Sequence, residues 1–173
     1  MYKVTFYEDI NDKVGTIIHY PHVGSTKLSS GAVAQGINVV NSFTFSLNMK
    51  SPVYTRVKPR KSLLKVYNTK TGKDEFNGYV LRLNSTMSDN GMYTKSFTAV
   101  DGLNYLKETM QPFAEIRDTT PKQFLQIIID NHNANTDNHK KFILGEVNVT
   151  NTTDNVYRFL AQDKNTFETI YEK

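Results

Sequence analysis

The sequence predicts an α+β fold, in which an antiparallel β-barrel or sandwich over residues 1–110 precedes the start of a smaller α/β domain over residues 111–173. Aromatic residues make up 12% of the chain, and they favour pleated, half-buried strands. Apolar and polar residues alternate through much of the first hundred residues, whereas the helix start signals come later. A length of 173 residues suits one or two compact domains.

The first strands are predicted from a side-chain period of two. Residues 41–49 give the clearest case, because four apolar side chains would share one face: Phe43, Phe45, Leu47 and Met49. The start of the chain repeats this pattern at three alternate positions: Tyr2, Val4 and Phe6. Residues 14–20 form a weaker candidate strand, which Gly15 interrupts.

A first hairpin is predicted over residues 63–83. Residues 63–67 are β-prone, and the polar stretch 68–73 supplies a glycine for the turn. Residues 76–83 would form the second strand, with three apolar side chains on one face: Tyr79, Leu81 and Leu83.

A second hairpin is predicted at Asn90 and Gly91, because both residue types tolerate the left-handed turn conformation. Residues 92–100 would form its returning strand. Long antiparallel strands joined by such turns predict a meander that closes as a small barrel or sandwich.

Helix signals begin at Asp101, which is predicted to cap a short helix carrying Leu103 and Leu106. The strongest helix start is a capping box with proline at the first helical position: Thr120, Pro121 and Gln123. Four apolar residues follow at helical spacing: Phe124, Leu125, Ile128 and Ile129. This helix is expected to end near His132 and Asn133.

The end of the chain predicts one more strand and one more helix. Residues 142–149 are expected to form the strand, bent at Gly145. Asn165 and Glu168 form a second cap, ahead of three apolar residues: Phe167, Ile170 and Tyr171. A helix of about two turns is marginal alone, and its apolar face would lack a partner. The expectation is therefore a fragment whose natural continuation completes the second domain.

Composition excludes several kinds of chemistry. The chain has no cysteine, so it has no disulfide, no thiolate metal site and no cysteine nucleophile. Its first residues lack the apolar stretch of a signal peptide, and no run approaches the ~20 apolar residues of a membrane span. We therefore expect a protein that reaches its site without a cleaved leader, and no membrane insertion.

The net charge is +4, and five basic residues cluster in one stretch: Arg56, Lys58, Arg60, Lys61 and Lys65. This basic cluster could be a phosphate-binding patch. It could also be a solvated strand edge protected by positive charge. The second interpretation is favoured because no nucleic-acid-binding motif accompanies the cluster, and no specific nucleic-acid recognition is expected.

Two groups of histidines are candidate sites. His19 and His22 could hold a metal, but the proline between them argues for a turn. Asp130, His132 and His139 could serve acid–base chemistry, yet histidine also suits an ordinary helix C-terminus. No hydrolase, zinc or phosphate-loop motif is present. The prediction is no enzyme, with no catalytic, cofactor-binding or metal residue and no cofactor.

Tyrosines offer one further alternative, a carbohydrate-binding module for the host cell wall. Tyr54, Tyr67 and Tyr79 could stack on sugars if they were exposed. The competing interpretation, that they fill a core or an interface, is favoured. A peptidoglycan hydrolase with Asp130 and the two nearby histidines is the remaining alternative.

An ordered set of motifs resembles the prophage tail endopeptidase family, whose members are also called tail-associated lysins. It begins with a proposed Phe-x-Gly turn in Phe76-Asn77-Gly78-Tyr79-Val80, returns through residues 95–103 and closes at Leu106. It continues through residues 119–125 and a set of later positions: Ile128, His132-Asn133, Lys141-Phe142, Gly145 and Val147. Residues 165–170 fit the next helix of that family. The resemblance extends from about residue 43 to the end.

This resemblance implies the N-terminal hub region of a phage tail tip, with β-barrel domains that form a tube and α/β domains that decorate it. It implies assembly in the cytoplasm of a bacterial host, without a signal peptide, and a homotrimeric ring at the tail tip of the virion that continues the tail channel. The implied partners are further copies of the chain, the distal tail protein and the tape measure protein. Peptidoglycan cleavage in some members of the family belongs to downstream domains, so the resemblance implies no activity for this segment.

Overall fold

The structure is a computed structural model, and it describes residues 1–22, 26–87, 89, 91, 93–148, 156–161 and 163–171. Its strands are β1 (Tyr2–Tyr7), β2 (Thr16–His19), β3 (Ser30–Ala34), β4 (Ser42–Leu47), β5 (Leu63–Asn68), β6 (Lys73–Met87), β7 (Tyr93–Asp101), β8 (Ala114–Thr119) and β9 (Val156–Leu160). Its helices are α1 (Pro121–Ala134) and α2 (Thr166–Tyr171), with short 3₁₀ helices at Gly102–Lys107 and Asn138–Lys140.

The chain divides into two compact units, unit 1 over Met1–Gly102 and unit 2 over Leu103–Lys173. The sequence placed this division after residue 110. The α+β class is confirmed, because unit 1 is built from β-strands and the helices α1 and α2 lie in unit 2.

Unit 1 is one seven-stranded antiparallel sheet in the order β2-β1-β5-β6-β7-β4-β3. The six pairings are all antiparallel, so the two end strands β2 and β3 run in the same direction. Residues of both ends line a single groove, which shows that the sheet curls into a half-barrel. The inside of this curl holds the core, whose largest fully buried members include Phe6, Phe45, Phe97 and Leu64.

The predicted strand over residues 41–49 is confirmed in β4, although it is shorter. Phe43, Phe45 and Leu47 are buried on one face, as the period of two predicts. Met49 does not join them, because the strand ends at Leu47 and the Met49 side chain is 63% exposed.

The predicted face of β6 is wrong, because the strand carries a bulge. The β6–β7 register shifts between Val80 and Arg82. A bulge inserts one residue and so exchanges the two faces of a strand. Val80 pairs with Ala99 of β7 in the core, whereas Tyr79, which is also buried, lies on the opposite face. Beyond the bulge, Leu83 pairs with Phe97 and is 39% exposed.

The expected Phe-x-Gly turn is also wrong, since Phe76 and Gly78 lie inside β6. A Cβ atom on Gly78 would lie 2.0 Å from the carbonyl oxygen of Val100, in the paired strand β7. Glycine is required here by this close approach of two backbones. The glycine of the predicted first hairpin does adopt a positive φ, at Gly72. Asn90 of the second hairpin lies outside the described residues, while Gly91 also has a positive φ.

Unit 2 packs α1 against the two-stranded sheet of β8 and β9, with α2 beside α1. Its core is a cluster of four buried residues: Ile116, Phe124, Ile128 and Leu160. The capping box at Thr120 and Gln123 is confirmed, with proline at the start of the helix. The second cap is confirmed too, because Asn165 and Glu168 each accept the backbone N–H of the other.

Two expectations for unit 2 are wrong, the strand near residue 145 and the unpartnered last helix, whereas the expected short helix after β7 is confirmed. Residues 142–148 form no strand, because the Asn133 side chain both donates to the Phe142 carbonyl (2.8 Å) and accepts from its N–H (2.9 Å). Val149, the last residue of that predicted strand, lies outside the described residues. The short helix expected after Asp101 is present as the 3₁₀ helix Gly102–Lys107, which carries Leu103 and Leu106, while Asp101 itself ends β7 and its carboxylate accepts from the N–H of Asn41. The last helix does have a partner, because Ile170 packs against the core cluster of unit 2.

Candidate functional site

The buried polar centre of unit 2 is His132, near the C-terminal end of α1. Its side chain is fully buried, and both of its ring nitrogens are bonded. Nε2 lies 3.1 Å from the carbonyl oxygen of Lys140, so this nitrogen carries the proton and donates. Nδ1 lies 2.6 Å from the Thr109 hydroxyl and accepts from it.

This contact continues as a buried hydrogen-bond network. The Thr109 and Thr166 hydroxyls are 2.8 Å apart, and the Gln111 side-chain amide donates to Thr166 (2.7 Å) and to the Ile128 carbonyl (3.2 Å). Asn131 in turn donates to the Gln111 side-chain carbonyl (3.1 Å). His132, Gln111 and Thr166 are each at most 2% exposed. A fully satisfied buried network of this kind fixes one packing arrangement.

The acid–base group considered from the sequence is not assembled around His132. Asp130 is exposed and accepts from the Gln126 side chain (2.8 Å). His139 is also exposed, and its ring meets the edge of the Tyr105 ring at 6.1 Å. A general base needs a free nitrogen within reach of substrate, whereas His132 has both nitrogens engaged with protein.

The histidine pair of unit 1 also forms no site. His19 accepts the N–H of Leu28 at Nδ1 (3.3 Å), whereas His22 packs its ring against Tyr20 at 4.6 Å. Burial, reinforced by the positive charge of Lys27, lowers the pKa of His19. Within the part of the chain that the structure describes, no three acidic or histidine side chains come together as metal ligands.

The basic cluster is largely paired with carboxylates. Arg56 contacts Glu8 at 2.6 Å, and Lys61 lies 3.6 Å from Asp9. Lys65 lies 3.0 Å from Asp74, whose carboxylate raises the pKa of the lysine by accepting a hydrogen bond from it. The favoured interpretation as a protected strand edge is wrong in its geometry. Lys65 belongs to β5, an interior strand of the sheet, and the other four residues lie in the irregular segment before it.

The tyrosines do not form a common exposed platform. Tyr79 is 2% exposed, while Tyr54 and Tyr67 are half-buried. The Tyr54 ring packs against the core and is covered by the Lys95 ammonium group, 4.4 Å from the ring centre. The interpretation of Tyr79 as a buried residue is confirmed.

Each unit contains a groove that the sequence did not reveal. The groove of unit 1 has a volume of about 420 Å³ and lies inside the half-barrel, between the ends of the sheet. In unit 2, a groove of about 160 Å³ lies beside β9, with Arg158 and Phe159 in its lining, and another of about 490 Å³ lies between residues 108–109 and 134–140. All of these grooves are lined by residues far apart in sequence, so no local motif could have indicated them. No helix of the described residues has the length and apolarity to span a membrane.

Comparison with solved structures gives the clearest similarity. The chain resembles the prophage tail protein gp18 of Listeria monocytogenes, with a TM-score of 0.62 and 16% identity over 98% of this chain. The match covers 44% of gp18, so the chain spans less than half the length of that protein. A tail protein of Neisseria meningitidis matches 75% of this chain and 33% of its own, with 12% identity and a TM-score of 0.47.

No family model matches the chain, and no curated protein matches it significantly. At 16% identity, the similarity to gp18 establishes a shared fold that runs through both units.

Proposed function

We propose that this chain is a structural component of a phage or prophage tail. The observation that carries the proposal is the fold shared with the Listeria prophage tail protein over 98% of the chain. The match runs through both the half-barrel and the smaller unit, so it involves more than one common module. The motif resemblance to tail-associated lysins, made from the sequence alone, supports the same role.

Within the tail, we propose a place at the tip as part of the baseplate hub. Three copies would form a ring that continues the tail channel and supports downstream lysin or receptor-binding parts. The distal tail protein and the tape measure protein would be its neighbours. The ordered motif set from Phe76 to Ile170, which resembles the hub region of tail-associated lysins, supports this place.

We also propose that this segment has no hydrolytic activity. The engagement of both His132 nitrogens and the exposed, separate positions of Asp130 and His139 support this. A cell-wall zymogram of the 173-residue chain is expected to show no clearing. Clearing that disappears in the variant Asp130→Asn would contradict the proposal.

Immunogold labelling of virions tests the proposed place directly. Antibodies raised against this chain are expected to decorate the tail tip of particles from the phage or prophage that encodes it. Labelling of the capsid, or of no part of the virion, would contradict a tail role. Light scattering of the complete encoded protein tests the ring separately, because trimers are expected and a strict monomer at high concentration would rule the ring out.

A further inference from the structure

The groove of unit 1 has the size and lining of a binding site. Its volume of about 420 Å³ lies within the range of about 300–1,000 Å³ that is typical of ligand pockets. Its floor consists of the buried side chains of Val4, Phe43 and Val66. The partly buried side chains of Leu28 and Val33 extend this apolar surface toward the rim. An aliphatic side chain would therefore be buried on entering it.

One wall of the groove is the strand β3, which has an open edge. β3 pairs with β4 on one side, and in the described part of the chain no strand pairs with its other side. Its sequence, Ser30-Gly31-Ala32-Val33-Ala34, contains neither a proline nor a charge. Those are the usual features that protect a sheet edge from pairing with other chains. β3 therefore presents unprotected backbone donors and acceptors beside an apolar groove.

The opposite end of the sheet is covered by the chain itself. The N–H of Tyr20 donates to the Thr26 carbonyl (3.1 Å), and the Thr26 hydroxyl donates to the Ile17 carbonyl (3.0 Å). The segment 26–28 thus runs along β2 and leaves β3 open. Of the two ends of the sheet in the described part of the chain, β3 is therefore the one where an added strand can pair.

The charge of the groove determines which added strands it can bind. Its described lining contains one carboxylate, Glu75, and neither lysine nor arginine. Besides a tyrosine, the other titratable side chain on the rim is that of His19. The pKa of His19 is lowered, so its imidazole is neutral at pH 7. Glu75 is held in place by the Asn68 side-chain amide, which donates to its carboxylate (2.9 Å). Lys27, whose charge acts on His19, lies outside the lining and donates to the Tyr20 and His22 carbonyls. The Glu75 carboxylate is therefore the charge within the lining, and it complements a cation.

We propose that this groove accepts an extended segment of a partner protein, which pairs with the open edge of β3 as an added antiparallel strand. The segment carries an aliphatic side chain that enters the groove and a lysine or arginine that meets Glu75. Successive side chains of a strand point to opposite faces, so the two anchors stand two residues apart. The site involves unit 1 alone and does not depend on the proposed place in the tail.

A labelled peptide of sequence Thr-Leu-Thr-Lys-Thr, with an amidated end, is the probe. Its binding to the 173-residue chain would be followed by fluorescence polarisation and its location by amide hydrogen exchange. Saturable binding and slower exchange of the β3 amides are expected. A peptide with Glu in place of Lys should bind several-fold more weakly, and an N-methylated peptide, which lacks backbone donors, should not bind.

Two protein variants provide the matched control. Glu75→Gln removes the charge, but the side chain still accepts from Asn68, so the fold is retained. We expect this variant to bind the lysine peptide about three-fold more weakly, so that the lysine and glutamate peptides bind equally well. Asp74→Asn makes the same charge change one residue away, at the ion pair with Lys65 and outside the groove, and should leave both affinities unchanged.

Three results would overturn the proposal. The first is no saturable binding of the lysine peptide. The second is equal binding of the charge-reversed or N-methylated peptide, which would show that the groove takes side chains without strand pairing. The third is protection of the β3 amides that grows with protein concentration in the absence of peptide, together with dimers in light scattering, because the occupant would then be a second copy of the chain.

Discussion

At the scale of single residues, His132 illustrates how a buried polar side chain can stabilise a small unit. Replacement by alanine would remove the His132 donor from the Lys140 carbonyl, would remove one of the two partners of the Thr109 hydroxyl and would open a cavity. An unsatisfied buried group and a cavity together cost about 3 kcal/mol. We expect His132→Ala to lower the free energy of unfolding of unit 2 by about that amount, measured from the hydrogen exchange of α1 amides in increasing urea.

The control for this change is His139→Ala, because His139 is exposed in the same unit. Its expected effect is below about 0.5 kcal/mol, the usual range for surface substitutions. Equal effects of the two variants would show that the network around His132 contributes little to stability.

Gly78 is expected to tolerate no side chain at all. A Cβ atom would stand 2.0 Å from the Val100 carbonyl oxygen and 2.7 Å from its carbon, and both are backbone atoms of a paired strand that cannot turn aside. We predict that Gly78→Ala destabilises unit 1 by more than about 3 kcal/mol, as measured by urea unfolding. Gly102→Ala is the matched variant, because its Cβ would meet nothing within 4 Å; a similar loss there would refute the steric explanation.

Single residues also show what the sequence can and cannot reveal about a site. The capping boxes at Thr120 and Asn165 depend on residues three apart, and local spacing was enough to predict both. The role of His132 depends on Thr109, 23 positions away, and on Thr166, which only the fold brings near. The sequence accordingly raised His132 as a catalytic candidate, although its environment is structural.

At the scale of elements, the predicted strand faces were correct where apolar and polar residues alternate strictly along the strand. β1 and β4 alternate apolar and polar residues, and their buried faces follow that pattern, whereas β5 was predicted from its β-prone composition. A period of two cannot predict a bulge, because it assumes an uninterrupted strand. In β6 one inserted residue places Tyr79 and Leu83 on opposite faces, although the pattern predicts one shared face. β8 and β9 were missed for a different reason. Their sheet has only two strands, and in β8 Ile116 is the single buried residue, so no periodic signal exists.

The connection between β1 and β2 is an element whose order should depend on pH. The Asp12 carboxylate accepts the N–H groups of Gly15 (3.0 Å), Glu8 (3.0 Å) and Val14 (3.2 Å), and these bonds lower the pKa of Asp12. A carboxyl group with a lowered pKa stabilises the fold above its unfolded pKa of about 3.9, and that contribution is lost as the pH falls through the folded value. The loop is therefore expected to loosen only in strong acid.

Amide exchange of Gly15 and Glu8 between pH 2 and 6 would measure this loss. Asp12→Asn retains one acceptor oxygen but cannot accept from Glu8 and from Gly15 through two different oxygens, as the carboxylate does. These amides should therefore already exchange faster at neutral pH in the variant, and their acid transition should disappear. Asp137→Asn, in unit 2, should change neither property. A transition of the wild-type loop at or above the ordinary carboxyl pKa would contradict the assigned role of Asp12.

At the scale of the whole molecule, the sequence was sufficient to predict the fold class and its antiparallel strands, but not how the sheet closes. Alternation and turn residues predict antiparallel strands, and they leave barrel and sandwich as alternatives. Strand order decides between them, and it arises from pairings such as β1 with β5, whose residues are some sixty positions apart. The half-barrel and its groove follow from that order, as does the similarity to the Listeria tail protein.

The overall charge leads to a prediction about nucleic acid. A net charge of +4 gives a weak attraction for DNA, yet Arg56, Lys61 and Lys65 already face carboxylates, so few counterions would be released on binding. We expect fluorescence anisotropy with a DNA duplex to show binding at low salt that is lost near 150 mM, without sequence preference.

The variants Glu8→Gln and Asp74→Asn sharpen this test, because each removes the carboxylate that faces a member of the basic cluster. Both should strengthen binding at low salt, since Arg56 or Lys65 becomes available to phosphate. Glu168→Gln adds the same charge far along the sequence, at the start of α2, and measures the effect of net charge alone. If all three variants bind DNA alike, net charge governs the interaction. If the wild-type chain binds DNA tightly at 150 mM salt, the carboxylates do not neutralise the basic cluster and a phosphate-binding surface is present.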